Sequence, residues 1–161
     1  MMFHVVIIFL TFVSRISAFN EGTSWKTQYV FAAVKVDRSV VAWGDPTFGG
    51  NTPSGLTNCQ TIFSTTYAFV CLKTGGSVVA WGSSTQGGNA PSGLTNCKSI
   101  FSTWAAFACL KTDGSVVAWG DPGYGGNTPS GLTNCQTIFS TGFAFVCLKT
   151  GGSVVAWGSS T

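Results

Sequence analysis

The chain has 161 residues, a length typical of one domain, and its composition of 8% charged and 45% hydrophobic residues argues against intrinsic disorder. Its 21 glycines, with many valines and aromatic residues, favour short β-strands joined by tight turns over a helical bundle. The net charge is +3 and the basic residues are scattered singly, so no basic run is present to follow a nucleic-acid backbone.

The first segment has the form of a secretory signal peptide. Residues 5–13 are an apolar run of nine residues, within the roughly 7–15 of a signal's hydrophobic region and short of the roughly 18–20 that a membrane span needs. Ala18 provides a small residue for cleavage. We therefore expect residues 1–18 to be removed and residues 19–161 to form the mature domain. A buried strand is the alternative interpretation, and no later stretch could span a membrane.

The same segment bears on the destination of the protein. A cleaved signal predicts a secreted or extracellular location. Ser17-Ala18-Phe19 also resembles the cleavage motif of the bipartite plastid presequences of algae with secondary plastids, in which Phe follows the cut. A plastid location is therefore the alternative.

A unit of 38 residues recurs along the rest of the chain. Each copy ends in the string Ser-Val-Val-Ala-Trp-Gly, whose tryptophans are Trp43, Trp81, Trp119 and Trp157. Residues 45–85 and 121–161 differ at only four positions, which indicates a recent duplication. The first copy is degenerate, with Glu21 and Ala33 where the others have cysteine. The units are residues 21–44, 45–82, 83–120 and 121–158.

Three strands are predicted in each unit, at residues 59–64, 67–73 and 77–81 of the second one. Between the last two, Thr74-Gly75-Gly76-Ser77 predicts a two-residue hairpin turn of type I′, in which both central residues need positive φ. Residues 51–56 form a connection that could hold a short outer strand, kept at an edge because Pro53 lacks an amide donor.

These motifs resemble a known repeat. Gly-Ser-Val-Val-Ala-Trp-Gly, a Gly-Gly pair shortly after it, and a strand of the form aromatic-Ala-Phe-x-x-Leu-Lys resemble the regulator of chromosome condensation repeat. They are most similar to the shorter repeat of the bacterial β-lactamase inhibitory protein class. The resemblance covers residues 22–161 and implies an all-β fold, an open arc of a β-propeller with about four blades of three to four strands. Such propellers serve as exchange factors, inhibitors and adhesion modules.

The propeller interpretation sets expectations for the repeated strands. We expect the Trp strand to be an inner or middle strand, with its tryptophans in the core rather than stacked on a ligand. An open arc exposes apolar residues at both ends, which favours self-association. The expected end residues are Trp25, Phe31, Val40 and Val41 in the first blade and Phe145, Val154 and Val155 in the last.

The six cysteines predict disulfides within units. With a hairpin tip at residues 64–66, Cys59 lies opposite Cys71, at a distance that suits a disulfide. The degenerate unit lacks both partners together, which supports pairing, and a signal peptide fits an oxidising compartment. Free buried thiols remain the alternative. The expected bonds are Cys59–Cys71, Cys97–Cys109 and Cys135–Cys147.

The mature chain lacks the residues that catalysis and metal binding need. The only histidine, His4, lies in the signal, and the carboxylates of Asp37, Asp45, Asp113 and Asp121 lie in turns, where they bond locally to the backbone. No base is available to activate a hydroxyl nucleophile, and the cysteine spacing does not suit a metal. We therefore expect neither an enzyme nor a cofactor or metal.

A candidate binding face follows from the variation between units. Positions that differ between residues 45–82 and 83–120 cluster after the Trp strand and at the tip of the first hairpin, two places that share one face of a propeller. Drift at unconstrained sites explains this variation equally well. Aromatic residues are favoured in interface hot spots. The candidate binding residues are Phe48, Tyr67, Trp104, Tyr124 and Phe143.

The leading functional hypothesis is a secreted or cell-surface interaction module that binds a protein, less readily a glycan, or associates with itself. Nucleic acid and a membrane span are not expected. The first alternative is a structural extracellular repeat, or a fragment of a longer propeller without a function of its own. The second is a propeller that acts as a guanine-nucleotide exchange factor, which the signal peptide and the paired cysteines disfavour.

Overall fold

The computed structural model describes residues 29–159, and both the proposed signal peptide and Trp25 lie outside them. The described residues form four antiparallel sheets in chain order. The first holds β1 (Val30–Val34) and β2 (Val40–Gly44), and the second holds β3 (Cys59–Ser64), β4 (Ala68–Lys73) and β5 (Val78–Gly82). The third holds β6 (Cys97–Ser102), β7 (Ala106–Lys111) and β8 (Val116–Gly120), and the fourth holds β9 (Cys135–Ser140), β10 (Ala144–Lys149) and β11 (Val154–Gly158).

A short 3-10 helix follows the Trp strand of each of the first three sheets. These helices are η1 (Pro46–Phe48), η2 (Ser84–Gln86) and η3 (Pro122–Tyr124). The connection after η1 contains no strand up to Cys59, so the possible outer strand near Pro53 is absent and each complete sheet has three strands.

The sheets stack as the blades of an open propeller arc. The first strands of successive complete sheets, β3, β6 and β9, lie beside one another and form the inner side. Within a sheet the order is first, second, third strand, for example β3-β4-β5. The Trp strand is therefore the outer edge strand, and its expected inner or middle position is wrong. The predicted all-β, open propeller architecture is confirmed.

Alternation along the middle strand gives each blade two apolar faces. In β7, Ala106, Ala108 and Leu110 point towards the next blade and form its forward face. Phe107 and Cys109 point towards the previous blade and form its backward face. Each core of the arc is a forward face packed against the backward face of the following blade, so neighbouring blades hold one another in place.

A hydrogen bond between a tryptophan and a glycine joins consecutive blades, and we call this contact the clasp. The Nε1 of Trp119 donates a hydrogen bond at 3.0 Å to the carbonyl oxygen of Gly87, which ends η2, the helix that follows the Trp strand of the preceding blade. The Trp119 ring stacks on Phe107, with centroids 5.5 Å apart. Trp81 and Trp157 make the equivalent bonds to Gly49 and Gly125. These three tryptophans are thus core residues, as expected from the sequence, whereas the same expectation is wrong for Trp43, which is exposed.

The three within-unit disulfides are present, although the register from which they were expected is wrong. Cys71 lies opposite Ile62, and Cys59 lies opposite Lys73 across a bulge. The bulge leaves Cys59 diagonal to Cys71, with a Cα–Cα distance of 5.7 Å that suits a disulfide. Cys97–Cys109 and Cys135–Cys147 repeat this arrangement.

The hairpin between the second and third strands also differs from its prediction. The amide of Gly76 bonds to the carbonyl of Lys73, and the amide of Lys73 to the carbonyl of Ser77. The loop therefore has three residues, and of these Gly76 alone has positive φ, 77°. This is a type I turn with a glycine bulge rather than a type I′ turn. Arg38 fills the same position in the first blade, with φ 62°.

Asp113 stabilises this turn in the third blade. Its Oδ1 accepts hydrogen bonds from the amide and the hydroxyl of Ser115, at 2.9 and 2.6 Å. These bonds lower the pKa of the Asp113 carboxyl, the hydroxyl contributing most. Because the folded state favours the carboxylate, this contribution to stability is present above the carboxyl's ordinary pKa and is lost as pH falls through the lowered one.

We expect Ser115→Ala to raise the pKa of Asp113 towards its ordinary value, because the strongest of the bonds to the carboxylate is removed. An NMR titration of the side-chain carboxyl measures this shift. Ser153→Ala is the matched control, since its turn carries Gly151 in place of the aspartate, and it should leave the acid titration unchanged. An unchanged Asp113 pKa in Ser115→Ala would contradict the assignment of the lowered pKa to the hydrogen bond from Ser115.

The two ends of the arc expose a different set of residues from the one expected. Phe31 and Val154 are exposed as predicted, but Val40 and Phe145 are buried because they face the interior of the arc. Trp43 and Phe139 are exposed in their place.

Candidate functional site

The hairpin tips between first and second strands form a row along one edge of the arc. The amide of Thr66 bonds to the carbonyl of Trp104 at 3.0 Å, and the amide of Trp104 bonds to the carbonyl of Gly142 at 2.9 Å. These three residues are equivalent in successive units, so the bonds align the tips. We call the tips, residues 65–67, 103–105 and 141–143, together with η1, η2 and η3, the aromatic edge.

Local capping positions the aromatic side chains on this edge. Thr65 Oγ1 accepts hydrogen bonds from the amides of Tyr67 and Ala68, at 3.2 and 3.0 Å, and closes the tip as a hydroxyl turn. Asp45 caps η1 by accepting from the amide of Thr47 at 2.8 Å, which sets Phe48 at the end of the helix. The orientation of both rings therefore rests on backbone bonds.

The predicted binding residues lie on this edge, but they form two clusters rather than one. In the first cluster, Phe48 lies 5.3 Å from Tyr67 and 5.0 Å from Tyr29, measured between ring centroids. Tyr29 was missed as a site residue, although its alignment with Tyr67 in the degenerate copy marks it. Gln86 and Ala105 occupy the equivalent positions in the next unit and interrupt the aromatic row.

The second cluster contains the other three predicted residues. Phe143 lies 4.3 Å from Trp104 and 5.7 Å from Tyr124 between ring centroids. Gly142 makes room for the indole, since a Cβ atom there would lie 2.7 Å from Nε1 of Trp104. Trp104 and Tyr124 are half-buried, and Phe143 is exposed. The cluster is a packed platform with an accessible ring.

Charge separates the two edges of the arc. Every Lys and Arg among residues 29–159 lies at or next to the opposite edge, where the second strands end and the third strands begin. They are Lys35, Arg38, Lys73, Lys98, Lys111 and Lys149. The aromatic edge carries only Asp45 and Asp121, whose carboxylates cap η1 and η3. The aromatic edge therefore offers apolar surface without a cation.

Within residues 29–159, no group of three or more His, Cys, Asp or Glu residues is placed to hold a metal ion. None of the helices in that range has the length and apolar character needed to cross a bilayer.

Comparisons with solved structures identify the fold. The ectodomain of the receptor kinase CR4 from Physcomitrella patens matches with TM-score 0.60 and 19% identity, over 82% of this chain and 39% of that one. Prp20p from Saccharomyces cerevisiae matches with TM-score 0.55 and 19% identity, over 82% and 42%. Yeast RCC1 (Prp20) bound to Kap60 matches with TM-score 0.56 and 18% identity, over 82% and 40%. The chain folds as an arc of RCC1-like propeller blades.

The RCC1-like arc spans about two fifths of the length of these solved proteins. Neither a protein-family model nor a curated protein matches the sequence. At these identities the likeness concerns the fold alone, and the nearer resemblance to the bacterial inhibitor repeat stays a prediction.

Proposed function

We propose that this RCC1-like arc is a secreted or cell-surface interaction module that binds a partner protein through its aromatic edge. The observation that carries the proposal is the platform formed by Trp104, Tyr124 and Phe143, in which two rings are packed and the third is exposed. Pre-ordered aromatic side chains give large contact area at a low cost in conformational entropy, which is why they dominate interface hot spots.

The surroundings of the platform favour a protein over other ligands. A nucleic acid requires cations, and those of the described residues lie on or near the opposite edge. A glycan requires polar side chains beside a stacking ring, whereas Asp45 and Asp121 on this edge are already used as helix caps. An apolar surface with few free polar groups suits a protein partner.

The proposed location rests on the disulfides. Bonds such as Cys97–Cys109 persist in oxidising compartments and are rare in the cytosol. The propeller neighbours include a receptor-kinase ectodomain and a protein studied for its binding to Gsp1p and histones. We therefore favour an extracellular binding role over an exchange-factor role inside the cell.

A cross-linking experiment tests the binding role. The disulfide-bonded chain is used as bait on extracellular proteins of the source organism, and captured partners are then purified for direct titration. We expect a variant carrying Trp104→Ala and Phe143→Ala to bind at least ~30-fold more weakly, since hot-spot truncations cost about 2 kcal/mol or more. Val36→Ala, which removes an exposed apolar side chain at the opposite edge, is the matched control and should bind normally.

The structural-repeat alternative makes the opposite prediction. A scaffold without a specific ligand would show the same capture with both variants. Unchanged binding in the double variant would overturn the proposal, provided that circular dichroism shows both variants to be folded. Loss of binding on substitution of Val36 or Lys98 would move the site to the opposite edge.

A further inference from the structure

The first blade exposes aromatic side chains that are buried everywhere else in the arc. Phe31 is 57% exposed, whereas its equivalents Phe69 and Phe107 are 4% and 0% exposed. Trp43 is 59% exposed, whereas Trp119 in the same repeat position is 5% exposed. Both exposed residues lie on the backward face of the first blade, so this face has the composition of an interface.

The last blade shows the complementary exposure. Val154 is 64% exposed, whereas Val40 and Val116 are 6% and 7% exposed at the equivalent position. Phe139 is 59% exposed, whereas its equivalents Phe63 and Phe101 pack on the blade that follows them. These residues lie on the forward face of the last blade. Among residues 29–159, the forward face of the last blade and the backward face of the first are therefore the two blade faces that no other blade covers.

The interior of the arc shows what covers each of these faces. In all three internal cores, a forward face packs on the backward face of the next unit. The residues that meet there are repeats of those at the two ends, such as Val116 on one side and Phe145 on the other. The forward face of the last blade is thus the natural complement of the backward face of the first.

We propose that the end faces bind a second copy of this chain, with the last blade of each copy packed on the first blade of the other. Such a head-to-tail contact closes into a ring if the rotation between copies completes a circle. Two copies contribute eight blades, which is within the roughly 4–8 blades of known propellers. This surface is separate from the aromatic edge and does not depend on the function proposed for it.

The surface chemistry of the end faces suits this occupant. The exposed large side chains of the two end faces, Phe31, Trp43, Phe139 and Val154, are apolar, so their burial stabilises the contact. The apolar area at each end has its partner in the other end of an identical molecule.

Two substitutions on opposite end faces test the proposal. Phe31→Asp blocks the backward end and Phe139→Asp blocks the forward end, and both side chains are more than half exposed, so the fold should persist. Val36→Asp places the same charge at an exposed apolar site in a hairpin turn, away from both faces, and is the control. Native mass spectrometry and light scattering measure the mass of the purified, disulfide-bonded chain.

We expect the parent chain and Val36→Asp to have twice the mass of one chain, and each end-face variant to dimerise at least ~100-fold more weakly. Mixing the two variants should restore a heterodimer, because it contains one unaltered interface, and a misfolded variant could not form it. A monodisperse parent monomer would overturn the proposal and indicate a ring closed within one chain. A dimer that persists in Phe139→Asp would overturn the head-to-tail arrangement, and an unlimited series of oligomers would overturn the closed ring.

Discussion

Replacing Gly87 with alanine is expected to destabilise the arc by about 3 kcal/mol. Gly87 has φ 103°, and a Cβ atom there would lie 2.6 Å from Cδ2 of Phe107. The Phe107 ring is fully buried and stacked on Trp119, so it cannot move aside without loosening the clasp between the second and third blades. Backbone strain of about 1–2 kcal/mol and overpacking of about 1–3 kcal/mol both contribute. Urea denaturation measures the loss.

Two other glycines separate these causes. Gly93 has φ 70° but open space around its Cα, so Gly93→Ala should cost only the backbone strain of about 1 kcal/mol. Gly75 has neither positive φ nor a close neighbour, so Gly75→Ala should be neutral or slightly stabilising. Equal losses in Gly87→Ala and Gly93→Ala would show that the contact with Phe107 is unimportant.

Removing the Cys97–Cys109 disulfide by a double substitution to alanine is expected to cost about 3 kcal/mol. The bond closes a loop of 12 residues in sequence separation, and loop closure of this size restricts the unfolded chain by roughly that amount. Because net stabilities are about 5–15 kcal/mol, reduction of all three bonds should leave the protein largely unfolded at 25 °C. Near-UV circular dichroism with and without a reductant monitors the transition.

The first blade indicates how this prediction could fail. Ala33 takes the place of a cysteine there, and β1 and β2 nevertheless pair along their whole length. If packing between blades supplies most of the stability, the double alanine variant would keep the denaturation midpoint of the parent chain. That result would assign the disulfides a role in protecting the folded protein rather than in folding it.

Strands and blades could be predicted because the repeat supplies several independent copies of each signal. The string Ser-Val-Val-Ala-Trp-Gly and the glycines of the hairpin recur with the same period. An error in assigning strands to one copy is therefore corrected by the other copies. The register could not be predicted, because it depends on two local devices. Thr65 closes a longer tip than assumed, and a bulge between Cys59 and Thr61 returns the cysteines to one face. Single hydroxyl bonds and bulges leave little trace in composition.

The shared edge of the five candidate aromatic residues could be expected from the sequence, but their grouping and the participation of Tyr29 could not. All five aromatics lie on one edge because hairpin tips and the turns after the Trp strand share that edge in every unit. Gln86 and Ala105 replace aromatic residues in the third unit and so divide the row into two clusters. Gly142 leaves the space that the Trp104 ring occupies. Contacts between neighbouring units, such as the one between Trp104 and Phe143, are invisible to an analysis of one unit at a time.

The hydrogen bonds from Trp81, Trp119 and Trp157 to the glycines that end the preceding 3-10 helices have a consequence for how this protein can change in length. Because each joint links two consecutive blades and is chemically the same wherever it occurs, a whole unit can be inserted or lost while the joints on either side are re-formed from identical parts. Only the number of joints changes. The near-identity of residues 45–85 and 121–161 is what such growth by copying would leave behind.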